Sequence, residues 1–367
     1  MMLVNEMFNQ KGSEISFRIG KPIPWESIAA MDLSKKAVAK LMRKQVYLLS
    51  QKKKKELFKP IENIIHPVRT KLIRKELKAS QLIGKTQDGK HIYLFDYMPN
   101  SSVMREIGRL RELSFRQVQE GTGNALDIDS YDRYYRHLIL WDEDELEIIG
   151  SYRIGEAAKI LKKHGEAGLY THSLFKFNQS FIPYLEHSIE LGRSFIQPRY
   201  QGKRSLDYLW YGIGAYLYQH PEIRYLIGPV SLSTSWPEPA QKVIASFYTE
   251  LFGNNKILVD PRLPFDFEPI QEFAPFTQVA DEENYKQAYA ILKALMDDFG
   301  VKVPILYKQY VELCQPGGCE FLGFNIDPSF SNCVDALILV HINTIKEKKH
   351  QRYIESHATV FQKRDSA

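Results

Sequence analysis

The chain has 367 residues, enough for one large domain or one domain with a smaller companion. Hydrophobic residues make up 44% and charged residues 25%, as in an ordinary globular protein, and a net charge of +5 is too small to imply nucleic acid. Cys314, Cys319 and Cys333 form no CxxC pair and have no His at zinc-ligand spacing, which argues against a structural metal and for a reduced, cytoplasmic protein; no apolar run reaches membrane-spanning length and no secretory signal opens the chain.

In chain order, Glu14 to Ile23 predicts a strand ending in a Gly/Pro turn, and Met31 to Ser50 carries apolar residues at helical spacing. One strand and one helix cannot bury a core by themselves. The run Lys52 to Lys55 opens a basic region reaching about Lys90, read as charged helix or linker. Such a run is a solvated face, or a surface for anionic lipid or an acidic carrier protein.

From His91 the pattern sharpens. His91 to Tyr97 reads as a strand, and Asn100, Ser101 and Ser102 supply cap residues for an amphipathic helix over Val103 to Gln119. Tyr134–Trp141 and Leu146–Ile154 read as a hairpin. Residues 156–183 are irregular and partly helical, and 184–197, 203–219 and 224–231 form a strand–helix–strand crossover. Glu238–Phe252 and Tyr285–Phe299 read as helices, 258–276 as a loop, and Val311–Phe324 and Val334–Ile342 as closing strands. This order predicts an α/β fold with a mixed sheet.

Two His-x4-Asp pairs, His91 with Asp96 and His137 with Asp142, fall in predicted strands. Alternation along a strand separates such residues onto opposite faces, so neither pair is expected to form a catalytic dyad.

The stretch Ser188 to Ser205 is the centre of the reading. A strand carrying Glu190 and Arg193 runs into Arg199-x-x-Gly202-x-Arg204, and a helix follows. Free N–H groups and the helix dipole then converge on one spot suited to phosphate. Upstream, Arg111 and Phe115 share a helix face, Asp129 and Asp132 lie in a polar turn, and Arg153 ends a hairpin strand.

In this order, Arg111-x-x-x-Phe115, Asp129-x-x-Asp132, Arg153 and Glu190-x-x-Arg193 resemble the acyl-homoserine-lactone synthases. They resemble more closely the ornithine-acyl carrier protein N-acyltransferases, often labelled hemolysins. Both groups share the GNAT fold, a three-layer fold whose central mixed sheet is splayed and flanked by helices. The run Phe321 to Phe330, followed by Asp335, is similar to the closing strands of the hemolysin-type proteins. The resemblance covers roughly 90–345. A shorter stretch, Phe17 to Pro24, resembles the tail of lysophospholipid acyltransferase domains. The expected organisation is an N-terminal extension and basic linker over 1–88, a remnant of such a domain, a GNAT-like domain over 89–350 and a polar tail over 351–367.

The resemblance implies transfer of a long-chain acyl group from acyl carrier protein or acyl-CoA to the amino group of ornithine or glycine, in aminolipid biosynthesis. Glu190 is the expected base for the amine, because a carboxylate must take its proton before attack. Arg193 and Arg153 are expected beside it, holding the substrate carboxylate. Arg111, Phe115, Asp129 and Asp132 would bind substrate, and Arg199, Gly202, Lys203 and Arg204 the donor phosphate. Arg204 stands where GNAT proteins carry a small residue, which favours a carrier protein's single phosphate over the CoA pyrophosphate. No bound cofactor or metal is expected. The partners would be acyl carrier protein and the inner face of the membrane, with no nucleic acid. Two other readings are an acyl-homoserine-lactone-type signal synthase and a non-enzymatic, membrane-active hemolysin.

Overall fold

In the computed structural model, the residues described are 12, 14, 17–29, 31, 33–49, 57, 58, 60–276 and 282–357. They fall into two compact units, 1–63 and 64–367. The Lys52–Lys55 run and the end of the expected polar tail lie outside the described residues.

The small unit holds α1 (Trp25–Ala29) and α2 (Lys35–Leu48). Ser34 caps α2, its Oγ accepting from the Ala37 N–H at 3.4 Å. The expected strand over Glu14–Ile23 does not form among the described residues: 17–24 are irregular and Phe17 and Ile19 are exposed. Among the described residues no neighbouring strand supplies a ladder there.

The large unit runs α3 (Thr70–Lys78), β1 (Gln81–Lys85), β2 (His91–Asp96), α4 (Ser102–Gln117), β3 (Arg136–Asp142), β4 (Glu147–Glu156), α5 (Ala157–His164), β5 (Phe175–Phe177), α6 (Ile182–Leu185), β6 (Ser188–Ile196), α7 (Ser205–Gln219), β7 (Tyr225–Leu232), α8 (Glu238–Phe252), β8 (Val259–Pro261), α9 (Glu282–Asp298), α10 (Ile305–Leu313), β9 (Cys319–Asp327), β10 (Cys333–His341) and α11 (Glu347–Tyr353). The main sheet has the order β1-β2-β3-β4-β6-β7-β10-β9, antiparallel except between β6 and β7. Helices on both faces make the expected three-layer α/β fold. One face is packed by α7, α8, α9 and α10 through Leu209, Ile213, Ile244, Leu292 and Tyr307. The other is packed by α3 and α4 through Ile73, Leu77, Ile107 and Leu110.

Two expectations change. Residues 81–85, read as linker, are an edge strand that pairs with β2 across Asp88-Gly89, a turn with Gly89 at φ +84°. The expected strand from Val311 begins only at Cys319. Ile305 to Leu313 form α10 instead, burying Tyr307, Tyr310, Val311 and Leu313 at helical spacing behind Pro304.

The expected crossover is present: β6, α7 and β7 form a parallel pair joined by a helix. The pairing is short, with partners only at Ser188–Tyr225, Ile189–Leu226 and Glu190–Ile227. Beyond Glu190 the two strands part. Gly228 sits at the fork, where a Cβ would lie 2.1 Å from the Leu191 carbonyl oxygen.

A bulge follows on β6. Ser151 pairs with Phe195 and Arg153 with Gly192, so Arg193 and Ser194 together face the single residue Tyr152. Arg193 takes the left-handed conformation, φ +47°. An extra residue reverses the in–out alternation. Leu191 therefore packs with α7 and α8, while Phe195, four residues on, packs on the α4 face.

Candidate active site

The bulge brings together residues that strict alternation would separate. Glu190 and Arg193 are three apart on one strand, yet both carry their side chains towards the Asp129 and Tyr170 side of the sheet. There α4, the turn at 127–133, β4 and β6 build a chain of alternating charges. Arg111 Nη1 meets Asp132 Oδ1 at 2.8 Å. Arg153 Nη1 meets Asp129 Oδ1 at 2.7 Å and Asp132 Oδ1 at 3.3 Å. Arg193 Nε lies 3.3 Å from Asp127 Oδ2 and its Nη2 3.5 Å from Asp129 Oδ2. Each buried guanidinium has a carboxylate, as burial demands.

Asp129 also folds the turn that holds it, its Oδ1 accepting from the N–H of Tyr131 at 2.9 Å and of Asp132 at 3.2 Å. Burial alone would raise the Asp132 carboxyl, but Arg111, Arg153 and His137 together hold it well below the usual carboxylate range. His137, buried and beside Arg111, is pushed down to about 4 and stays neutral at pH 7. Arg153 lies among the rings of Tyr135, Tyr170 and Tyr131, 5.1, 5.4 and 5.6 Å away. Arg193 is held between Tyr170 at 4.8 Å and Phe330 at 4.7 Å. Phe115 meets Phe330 edge to face at 4.9 Å.

Glu190 occupies a different position from the one its expected role as base requires. Its carboxylate accepts from Tyr135 Oη, from the Tyr170 N–H at 3.1 Å and from the Thr171 N–H at 2.6 Å. It is 1% exposed and does not line the cleft described next. These bonds fix the backbone at 170–171, and so the ring of Tyr170.

Where β6 and β7 part, a cleft of about 60 Å³ opens. One side is lined by Phe115, Tyr170, Arg193, Phe330, Ser231 and Asp335, the other by Tyr152, Leu191, Ser194, Leu306 and Tyr310. The cleft thus passes through the sheet, with charge on the α4 side and apolar and hydroxyl groups on the α10 side. Of the expected site residues, Arg193 and Phe115 face it, while Arg111, Asp129, Asp132, Arg153 and Glu190 stand behind as its frame.

A second cavity of about 420 Å³ shares Ser194 and Leu306 with the first. It runs along Phe195 and Ile196 to Gly202, Lys203, Ser205 and Leu206 at the mouth of α7. Gly202 has φ +73°, a turn conformation that favours glycine. Lys203 and Arg204 stack over Tyr200 and Tyr208, 5.1 and 5.6 Å from the rings. Arg199 points elsewhere: it is ion-paired with Glu145 at 2.5 Å and Glu147 at 2.9 Å.

No role was expected for Tyr170, Phe330 or Asp335, which line the cleft, or for the buried acids Glu120 and Asp327. Asp335 was visible only as part of the closing strands, and Glu120 as the residue just after a helix. Among the described residues, no group of three or more His, Cys, Asp or Glu side chains is placed to hold a metal ion. None of the helices among them is long and apolar enough to cross a membrane.

Residues 110–211, spanning Arg111 to the first half of α7, match the acetyltransferase (GNAT) domain. A glycine N(alpha)-acyltransferase of Phocaeicola vulgatus is 32% identical over 310 residues, covering 81% of this chain and 94% of the relative. A glycine N(alpha)-acyltransferase of Bacteroides thetaiotaomicron is 33% identical over 316 residues, covering 81% and 92%. An L-ornithine N(alpha)-acyltransferase of Rhizobium meliloti is 30% identical over 117 residues, 30% of this chain and 38% of that one.

Proposed function

The chain belongs to the family of the glycine N(alpha)-acyltransferases, and from that premise we propose that it moves a long-chain acyl group from a phosphopantetheine thioester to the amino group of glycine. It is an acyltransferase with a GNAT domain. The observation that carries the choice of site is the parting of β6 and β7 after Glu190 and Ile227, which leaves a through-going cleft between the α7 turn and Arg193.

In this reading the donor lies along the 420 Å³ cavity, its phosphate at Gly202 and Lys203 and its thioester at the cleft near Gly192. Backbone groups freed by the parted strands are suited to an extended, amide-bearing arm. The amino acid enters from the α4 side, where Arg193 offers a positive wall to its carboxylate. Phe115 and Phe330 close that side to water. Arg111, Asp129, Asp132, Arg153 and Glu190 set the position of Arg193 and Tyr170 rather than touching substrate. The product is an N-acyl amino acid, an amphiphile consistent with aminolipid synthesis at a membrane face.

The exposed Lys203 in the cavity lining supports an acidic carrier protein as donor over CoA, and exposed Arg204, which lies outside that cavity beside Asp207, adds to the basic surface rather than to the phosphate site. Arg199, neutralised by two glutamates, is left out of the phosphate site. The helix α2 has no buried residue, and it exposes Met42, Val46 and Tyr47 among lysines, which supports a peripheral membrane contact.

The test is direct. Purified protein is given palmitoyl-CoA or palmitoyl-carrier protein with single amino acids, and products are identified by mass spectrometry. N-palmitoylglycine formed with release of one thiol per amide is the expected result. Preference for ornithine by tenfold or more would overturn the acceptor, and a homoserine lactone product the reaction.

A further inference from the structure

We propose that the Asp335 carboxylate, on the β10 wall of the cleft, takes the proton from the substrate amine, with Glu120 as its positioning partner. The proposal rests on the acyltransferase reading and deepens it by naming the base.

Most carboxylates near the cleft are already engaged. Glu190 accepts from Tyr135 Oη and two backbone N–H groups and is absent from the cleft lining. Asp127, Asp129 and Asp132 each face a guanidinium within 3.5 Å. Asp327 accepts from Tyr170 Oη at 2.7 Å and from the Ser329 N–H at 2.7 Å. Asp335 differs from all of these. It lines the cleft, is 4% exposed, and has no ion-pair partner within 4 Å among the described residues.

Its surroundings are suited to a base. Asp335 is the cross-strand neighbour of Ser231, whose Oγ donates to Glu120 Oε2 at 3.0 Å. Glu120 is itself tied to the cleft, its N–H bonded to the Phe115 carbonyl at 2.9 Å. The titratable and charged groups facing Asp335 are Arg193 from β6, Tyr170, Tyr307 from α10, Glu120 after α4, Asp327 on β9 and Cys333 on its own strand. Burial, then Asp327 and Glu120, push the Asp335 carboxyl well up, and Arg193 only partly offsets them. Burial likewise raises Glu120 to about 7. A carboxyl raised from its usual range holds a proton more tightly than an ordinary carboxylate, which makes its ionised form a stronger base.

The step balances. The substrate ammonium gives one proton to Asp335, and the freed lone pair forms the N–C bond at the thioester carbonyl. The C–S bond breaks with its electrons on sulfur. The nitrogen's second proton ends on the departing thiolate, giving amide and thiol, and Asp335 returns its proton to water.

The experiment compares wild type, D335N, E120Q and E190Q in N-acylglycine formation from pH 5 to 9, with folding checked by circular dichroism. Wild-type kcat/KM should rise with pH along an acid limb. D335N should lose at least about 100-fold in kcat, the usual range for a general base, with the thioester KM within about threefold. E120Q removes a neighbouring negative charge and should move the limb to lower pH, whereas E190Q should leave its position unchanged. D335N activity within threefold of wild type would overturn the proposal, as would an E120Q limb that does not move. If D335N fails to fold, the E120Q limb alone decides. A wild-type protein that forms no amide from any amino acid overturns the acyltransferase reading, and this proposal with it.

Discussion

Asp132 carries the heaviest electrostatic duty of any residue in the site, because Arg111 and Arg153 both lean on it in a fully buried setting. Its removal leaves the buried Arg111 guanidinium without a carboxylate and Arg153 with Asp129 alone. D132N should therefore cost on the order of 3–5 kcal/mol of stability at pH 7, read by urea unfolding. The pH dependence has a definite sign. Asp132 is depressed below its ordinary 3.8, so its contribution is present above that value and is lost as pH falls further. His137, depressed from 6.5 to about 4, acts in the same direction between those values. The gap between wild type and D132N should narrow below pH 4; a constant gap down to pH 2 would contradict the ion-pair account. Most of these residues were legible in the sequence as a set, through the spacing of Arg111, Phe115, Asp129, Asp132, Arg153, Glu190 and Arg193. Their division into frame and cleft wall was not, because spacing along a chain does not say which carboxylate spends its lone pairs on backbone N–H groups, as Glu190 does.

At the scale of the element, the decisive feature is the fork between β6 and β7 with the bulge beside it. A strict strand would send Glu190 and Arg193 to opposite faces. The extra residue at Arg193–Ser194 corrects this; Gly192 just before it is a weak sequence signal of a bulge, yet the arginine rather than the glycine takes the left-handed conformation. Gly228 lets β7 approach β6 just before they part. G228A would place a Cβ 2.1 Å from the Leu191 oxygen, so a strand must shift. It should cost about 1–3 kcal/mol and raise the thioester KM more than the glycine KM. An unchanged melting temperature and an unchanged thioester KM would show that the fork tolerates adjustment. The crossover, α8 and β10 were legible from periodicity. The β1 hairpin and α10 were not: the first was hidden in a basic stretch, and the second presents closely spaced aromatic and aliphatic residues that suit either period.

At the scale of the whole molecule, the fold divides labour between its two faces. The 420 Å³ cavity, proposed for the donor, and the apolar wall lie on the α7 and α10 side, the charged frame on the α4 side, and the cleft between the parted strands joins them. The mildly basic charge of +5 gains meaning where Lys203 lines the cavity and Arg204, next in the chain, lies exposed just outside it beside Asp207. With a carrier-protein donor, K203E/R204E should raise KM about tenfold or more, and added salt should raise the wild-type KM; palmitoyl-CoA should respond less. Equal responses of the two donors would remove the argument for the carrier protein. The α/β class with a mixed sheet could be read from element order, and the three-layer arrangement from the resemblance to the GNAT fold. The acceptor could not, because the residues that line the cleft come from α4, β4, β6, β7, α10 and β10, far apart in the chain.

The central claim is amide formation at the forked strands, and the most direct measurement is the mass of the product. Wild-type protein, a palmitoyl thioester and ¹⁵N-glycine should yield ¹⁵N-palmitoylglycine with one thiol released per amide, and G228A and D335N should reduce both together. Thiol release without the labelled amide, or amide formation undiminished in both variants, would contradict the account.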